Sequence, residues 1–152
     1  MSTKYGEIME AVVSTDPYLQ PLDSGNAFVR PLADERSITG LSSGDVIQMY
    51  TGAKVGDKIR KSALEYSIAA CGTAGSLNIG DLGSATRYAS GVTVSSAAVG
   101  RCAPTAGETD LYEVTADDLD EKGRYPILFT LTGSAITAIA SGKAYLTGDI
   151  IG

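Results

Sequence analysis

Residues 125–132 read YPILFTLT, and their alternation decides the fold class. Ile127, Phe129 and Leu131 fall on one side of an extended chain, opposite Leu128, Thr130 and Thr132, because successive strand side chains point to opposite faces. Pro126 has no N–H to give to a ladder, so it marks a strand start or an edge. Residues 111–115 (LYEVT) and 144–151 (AYLTGDII) carry comparable strand signals. Upstream, residues 45–50 put Val46, Gln48 and Tyr50 on one face, with Ile47 and Met49 on the other. Residues 59–68 end with Leu64, Tyr66 and Ile68 inward and Glu65 and Ser67 outward, while Ile59, Ala63 and Tyr66 leave a helical reading open. Residues 76–80 pair Leu77 with Ile79, residues 91–99 alternate at Val92 and Val94, and residues 26–32 alternate weakly. Residues 84–90 (SATRYAS) lack alternation and read as a single helical turn within a connection.

Turn-forming clusters separate these runs at short intervals: SSGD at 42–45, GTAG at 72–75, GDLG at 80–83, TAGE at 105–108, EKGR at 121–124 and SGK at 141–143. Short strands at such spacing predict an all-β fold, a compact β-sandwich or barrel (jelly-roll-like). No linker divides residues 26–152, which read as a single β-domain. Residues 1–25 differ: EIMEAVV at 7–13 offers only two amphipathic turns, too short to be stable alone. Pro17 and Pro21 then push the preceding residues toward extended conformations. This predicts an extended N-terminal arm whose apolar side chains need a surface to cover them.

The chain has 152 residues, enough to bury a core without disulfide staples. Twelve basic against 18 acidic side chains give a formal charge of −6, which repels phosphate backbones and anionic lipid. No nucleic-acid or membrane partner is therefore expected. The opening MSTKYGEIME lacks a basic stretch followed by an apolar one, so no signal peptide is expected. The sequence contains no His, which removes the commonest general base and metal ligand together. Cys71 and Cys102, in a chain with no export signal, are expected to be small buried hydrophobes.

Candidate chemical motifs weaken on inspection. Asp23-Ser24-Gly25 matches one half of an aspartic-protease pair, but it sits in a proline-flanked arm and reads as an Asx-type turn. Residues 115–121 (TADDLDE) are acidic without the spacing of a calcium loop, and Thr115 with Asp118 fits a capping pattern opening a solvated turn. Gly52, Gly56 and Lys58, and separately Gly142 with Lys143, fail the phosphate-loop pattern and read as hairpin turns. Ser62 beside Lys61 makes no nucleophile–base pair, because neighbouring strand residues face apart. No catalytic residue, metal ligand or cofactor is expected; a hydrolase using paired carboxylates is the weakest reading.

The order of segments carries more than any one of them. Gly44-Asp45-Val46-Ile47 is followed by Gly56, Ile59, Leu64 and Glu65. Leu77, Ile79, Gly80 and Asp81 come next, then Thr86-Arg87-Tyr88, and finally Gly142, Ala144, Leu146 and Gly148. Over residues 40–151 this series resembles small tailed-phage capsid decoration (cement, head-stabilising) proteins. The resemblance implies a structural virion protein with no catalytic residues, bound outside an icosahedral head beside the major capsid protein. It implies a location on the capsid exterior after synthesis in the host cytoplasm, with self-association as a dimer or trimer. The arm is not part of the resemblance; its apolar side chains Tyr5, Ile8, Met9, Val12, Tyr18, Leu19 and Leu22 are the expected capsid contacts. The competing expectation is a head-fibre, receptor- or glycan-binding module, for which the eight Tyr residues would supply a sugar platform.

Overall fold

The computed structural model describes residues 29–104, 107–133 and 136–152; the predicted arm and the triplet at 23–25 lie outside them. The described residues form ten strands in two antiparallel sheets packed face to face, the sandwich alternative of the predicted all-β fold. The strands are β1 (Val29–Ser37), β2 (Val46–Tyr50), β3 (Lys58–Arg60), β4 (Glu65–Ile68) and β5 (Ser76–Gly80). They continue with β6 (Ala89–Thr93), β7 (Ala98–Arg101), β8 (Leu111–Glu113), β9 (Pro126–Thr132) and β10 (Lys143–Ile151).

One sheet runs β2-β9-β5-β6 and is centred on the stretch that opened the sequence reading. Ile127, Phe129 and Leu131 of β9 are fully buried, while Leu128, Thr130 and Thr132 are half-buried on the other face. Pro126 pairs with Tyr50 at the strand's first position, where a missing N–H costs least. The flanking strands contribute Ile47 and Met49, and Leu77 and Ile79, to the same layer.

The second sheet is built around β10. Along one edge β10 pairs with β1 over its whole length, from Ser37 opposite Lys143 to Val29 opposite Ile151. Along the other edge it carries β4 and then β3 in series, and these pair outward with β7 and β8. The predicted strand at 59–68 is therefore two strands, broken by a 3-10 turn at Lys61–Ala63. The break has a packing reason. Fully buried Leu64 lies against the middle of β10, where a Cβ on Gly148 would stand 2.5 Å from Leu64 Cδ2. Only glycine leaves room there for the chain to step from one strand to the next.

Residues 84–90 form no helical turn. Asp81 Oδ1 accepts the N–H groups of Gly83 and Ser84, each at 2.9 Å, so a carboxylate shapes this connection in place of a helical ladder. Gly80 opens it at a point where a Cβ would lie 2.1 Å from the carbonyl oxygen of Ser84. Residues 91–99 divide between β6 and β7. The Gly52–Lys58 segment is a turn but not the expected hairpin. It carries the chain from β2 in one sheet to β3 in the other, as the connection ending at Gly142 and Lys143 does from β9 to β10. Within it Asp57 Oδ2 accepts the Lys54 N–H at 2.9 Å and pairs with Arg30. Both cysteines are buried and free, and burial pushes the Cys102 thiol up to about 12. Among the described residues no helix is long and apolar enough to cross a membrane.

Candidate functional site

The most concentrated chemistry in the described residues is a polar cluster inside the sandwich, built from Asp81, Arg87, Tyr88, Tyr112, Asp118 and Tyr125. Asp81 follows β5, and Arg87 and Tyr88 close the connection into β6. Tyr112 comes from β8, Asp118 from the 3-10 turn Ala116–Asp118, and Tyr125 precedes β9. Segments separated by more than forty positions thus meet around one carboxylate.

Asp81 is 2% exposed, and both its oxygens are engaged. Oδ2 accepts Arg87 Nε at 2.6 Å and the Tyr125 hydroxyl at 2.7 Å. Tyr125 in turn accepts the Tyr88 hydroxyl at 2.6 Å, so a proton-donor relay runs from Tyr88 through Tyr125 into the carboxylate. The Arg87 guanidinium stacks 3.8 Å over the Tyr112 ring, and Tyr88 meets that ring edge-on with centroids 6.4 Å apart. On the far side Asp118 accepts the Tyr112 hydroxyl together with the N–H and hydroxyl of Thr115. Arg87 lies 3.9 Å from its second oxygen.

Electrostatics follow from this wiring. For Arg87 burial works against the charge, but the hydrogen bond and charge of Asp81 outweigh it and hold the group more firmly protonated. For Asp118 burial again opposes ionisation, yet the Tyr112 and Thr115 hydrogen bonds hold the carboxyl below its ordinary range. Burial raises all three tyrosines: Tyr112 is pushed up to about 12, and Tyr88 and Tyr125 go further. A folded protein that holds these hydroxyls protonated gains stability that is complete below the unfolded tyrosine value of about 10 and is lost as pH rises through the folded values. The urea midpoint is therefore expected to begin falling near pH 9, where the unfolded Cys102 thiol ionises, and to fall more steeply from about 10 toward about 12 as the unfolded tyrosines follow. A midpoint of a Cys71→Ala, Cys102→Ala variant that stays level from about 10 to about 12 would show that the three hydroxyls are not held in the interior.

Both oxygens of Asp81 and Oδ2 of Asp118 are taken up by donors from the protein itself, and the guanidinium is stacked and paired. What the cluster does is fasten: six side chains tie the connection after β5 to the approach of β9. Asp81, Arg87 and Tyr88 belong to the ordered series of sequence segments, in which no role attaches to them. Its spacing from Thr115 places Asp118 in a solvated turn; the capping bonds to Thr115 are present, but Asp118 is 3% exposed because its carboxylate turns inward toward Tyr112 and Arg87. A T-x-x-D spacing gives the bond and is silent on which way it faces.

The remaining candidates separate. Ser62 Oγ donates to Asp110 at 2.6 Å while the Lys61 ammonium pairs with Glu108 at 2.8 Å, so the two face different partners. Among the described residues no group of three or more Cys, Asp or Glu side chains is arranged to hold a metal ion. The described tyrosines do not assemble a platform: Tyr88 and Tyr125 are buried, Tyr66 and Tyr112 pack against the core, and Tyr50 and Tyr145 sit on different sheets. The expected capsid contacts Tyr5, Ile8, Met9, Val12, Tyr18, Leu19 and Leu22 all lie outside the described residues.

Fold and cluster together define an antiparallel β-sandwich fastened internally by a tyrosine–carboxylate–arginine network. No family model matches the chain, and no curated protein matches it. Among solved structures, a chain of the cyanophage Pam1 capsid asymmetric unit is similar in fold, with a TM-score of 0.60 at 22% identity. The likeness covers 84% of this chain and 87% of that one, so the two are nearly equal in length.

Proposed function

We propose that the protein is a capsid decoration (cement) protein of a tailed phage, without enzymatic activity. It binds the outer surface of an icosahedral head beside the major capsid protein and stabilises seams between capsomers. The observation that carries this reading is the fold likeness, along nearly the whole of both chains, to a component of a phage capsid asymmetric unit. The ordered series of GD, IGD, TRY and closing strand motifs supports the same assignment. A rigid sandwich suits the task, because a clamp transmits load between capsomers only if its own interior resists deformation. The arm supplies apolar contacts to the shell through Tyr5, Ile8, Met9, Val12, Tyr18, Leu19 and Leu22, and repetition over many identical sites multiplies their effect.

Quantitative mass spectrometry of purified virions, normalised to the major capsid protein, tests the role. The expected ratio is near one or a simple fraction of it. A few copies per particle would place the protein at a vertex, fibre or connector instead, and absence from the virion would overturn a structural role altogether.

A further inference from the structure

The outward face of the β1-β10-β4-β7 sheet bears a pattern that matches itself. Cross-strand register puts Glu35, Tyr145, Ser67 and Val99 in one row, and Ala33, Thr147, Glu65 and Arg101 in the next. Val99 at 81% is the most exposed large apolar side chain among the described residues, and Tyr145 is 43% exposed. Between them Ser67 forms the floor of a groove of about 370 Å³, closed at one end by the Glu65–Arg101 ion pair. Tyr145 therefore stands as a ridge beside a trough.

We infer that this face binds a second copy of the chain about a two-fold axis parallel to the strands, lying between β10 and β4. That operator lays β1 of one copy over β7 of the other and β10 over β4. Each Tyr145 then enters the trough above Ser67 of the other copy, a large side chain over a small one, twice. The charges agree. Glu35 of one copy comes beside Arg101 of the other, while the five charged side chains of the face, Glu35, Glu65, Asp149, Arg101 and Lys143, sum to only −1. Two copies that each carry −6 repel over most of their surfaces, and a nearly neutral face with acid and base on opposite edges is where they meet at lower cost. The ion pairs within each copy, Arg101 to Glu65 at 2.9 Å and Lys143 to Glu35 at 3.7 Å, are solvent-exposed and so exchange partners readily.

Four strands span only about 19 Å, so the contact falls at the small end of specific interfaces and the dimer is weak in solution. A covalent trap is therefore the right probe, and it needs no capsid, so its result is independent of the shell role. The full chain carrying Thr147→Cys, beside the axis, is treated with a short bis-maleimide; native Cys71 and Cys102 are buried. Covalent dimer is expected as the main product. Adding Tyr145→Ala, or filling the trough with Ser67→Arg, should lower the yield at least tenfold, with circular dichroism confirming that each variant folds. Val55→Cys, 55% exposed and distant from the face, is the collision control. Equal yields from the Thr147 and Val55 variants, or a Thr147 yield indifferent to both second substitutions, would overturn the inference.

Discussion

Replacing Asp81 with alanine is expected to destabilise the protein by about 3 kcal/mol, the lower end of what breaking a buried charge pair costs. The lower end applies because the Arg87 side chain keeps 21% exposure and can recover some water, whereas Asp81 has none. The loss is not one contact. Tyr125 loses its acceptor, Arg87 loses its pairing charge, and the N–H groups of Gly83 and Ser84 lose the oxygen that shapes the turn. A buried donor left without an acceptor costs about 1–3 kcal/mol by itself, so rearrangement or water entry must absorb part of the damage. For a chain of this size the thermal midpoint should fall by roughly 9 °C. Urea unfolding of the variant beside Arg101→Ala provides the scale. The Arg101–Glu65 pair has side chains 69% and 47% exposed, and its removal should change the midpoint little. If the two variants lose equal stability, the cluster does not fasten the sandwich.

The strands were legible where one face is buried and the other is not. In β2, and in β9 from Ile127 onward, buried residues alternate, and in β10 Ala144, Leu146 and Ile150 keep one parity, since each strand has a core on one side and solvent or a shallow edge on the other. Legibility failed where alternation has nothing to report. The short β7 carries Ala98, Val99, Gly100 and Arg101, and what makes it a strand is its pairing with β4. The division of 59–68 into two strands is similarly tertiary, because it depends on Gly148, more than eighty positions away, leaving space for Leu64.

The cluster was half legible for a related reason. Local spacing found the Asp81 turn, the Arg87-Tyr88 segment and the Thr115–Asp118 cap as separate items of chain geometry. Their meeting is produced by the packing of one sheet on the other, which sets the connections flanking β5 and β9 against β8. Tyr112 and Tyr125 gave no sign of membership, because a strand tyrosine near a core reads as packing whether or not its hydroxyl has a buried partner. A polar residue beside an apolar strand is a hint only once the neighbouring strands are known.

Deleting residues 1–25 is the complementary experiment, since it should leave the sandwich folded and remove its attachment. Among the described residues the buried core lies at Leu32 or beyond, so the truncated chain keeps that core and its network. Its urea midpoint should match that of the full chain. Binding to heads purified without the protein is expected to weaken by about 2 kcal/mol or more, roughly thirtyfold, because the deletion removes the two tyrosines and five aliphatic side chains proposed as shell contacts at once. Pro17 and Pro21 should contribute as well, by restricting the free arm and so reducing the ordering cost of docking. Substituting Tyr5 and Tyr18 with serine in the full chain distinguishes side-chain contact from mere tethering. A large fraction of the loss should appear in that double variant if the rings are anchors. Undiminished binding by the truncated chain would transfer attachment to the sandwich, and the exposed sheets would then be the surfaces to mutate against the shell.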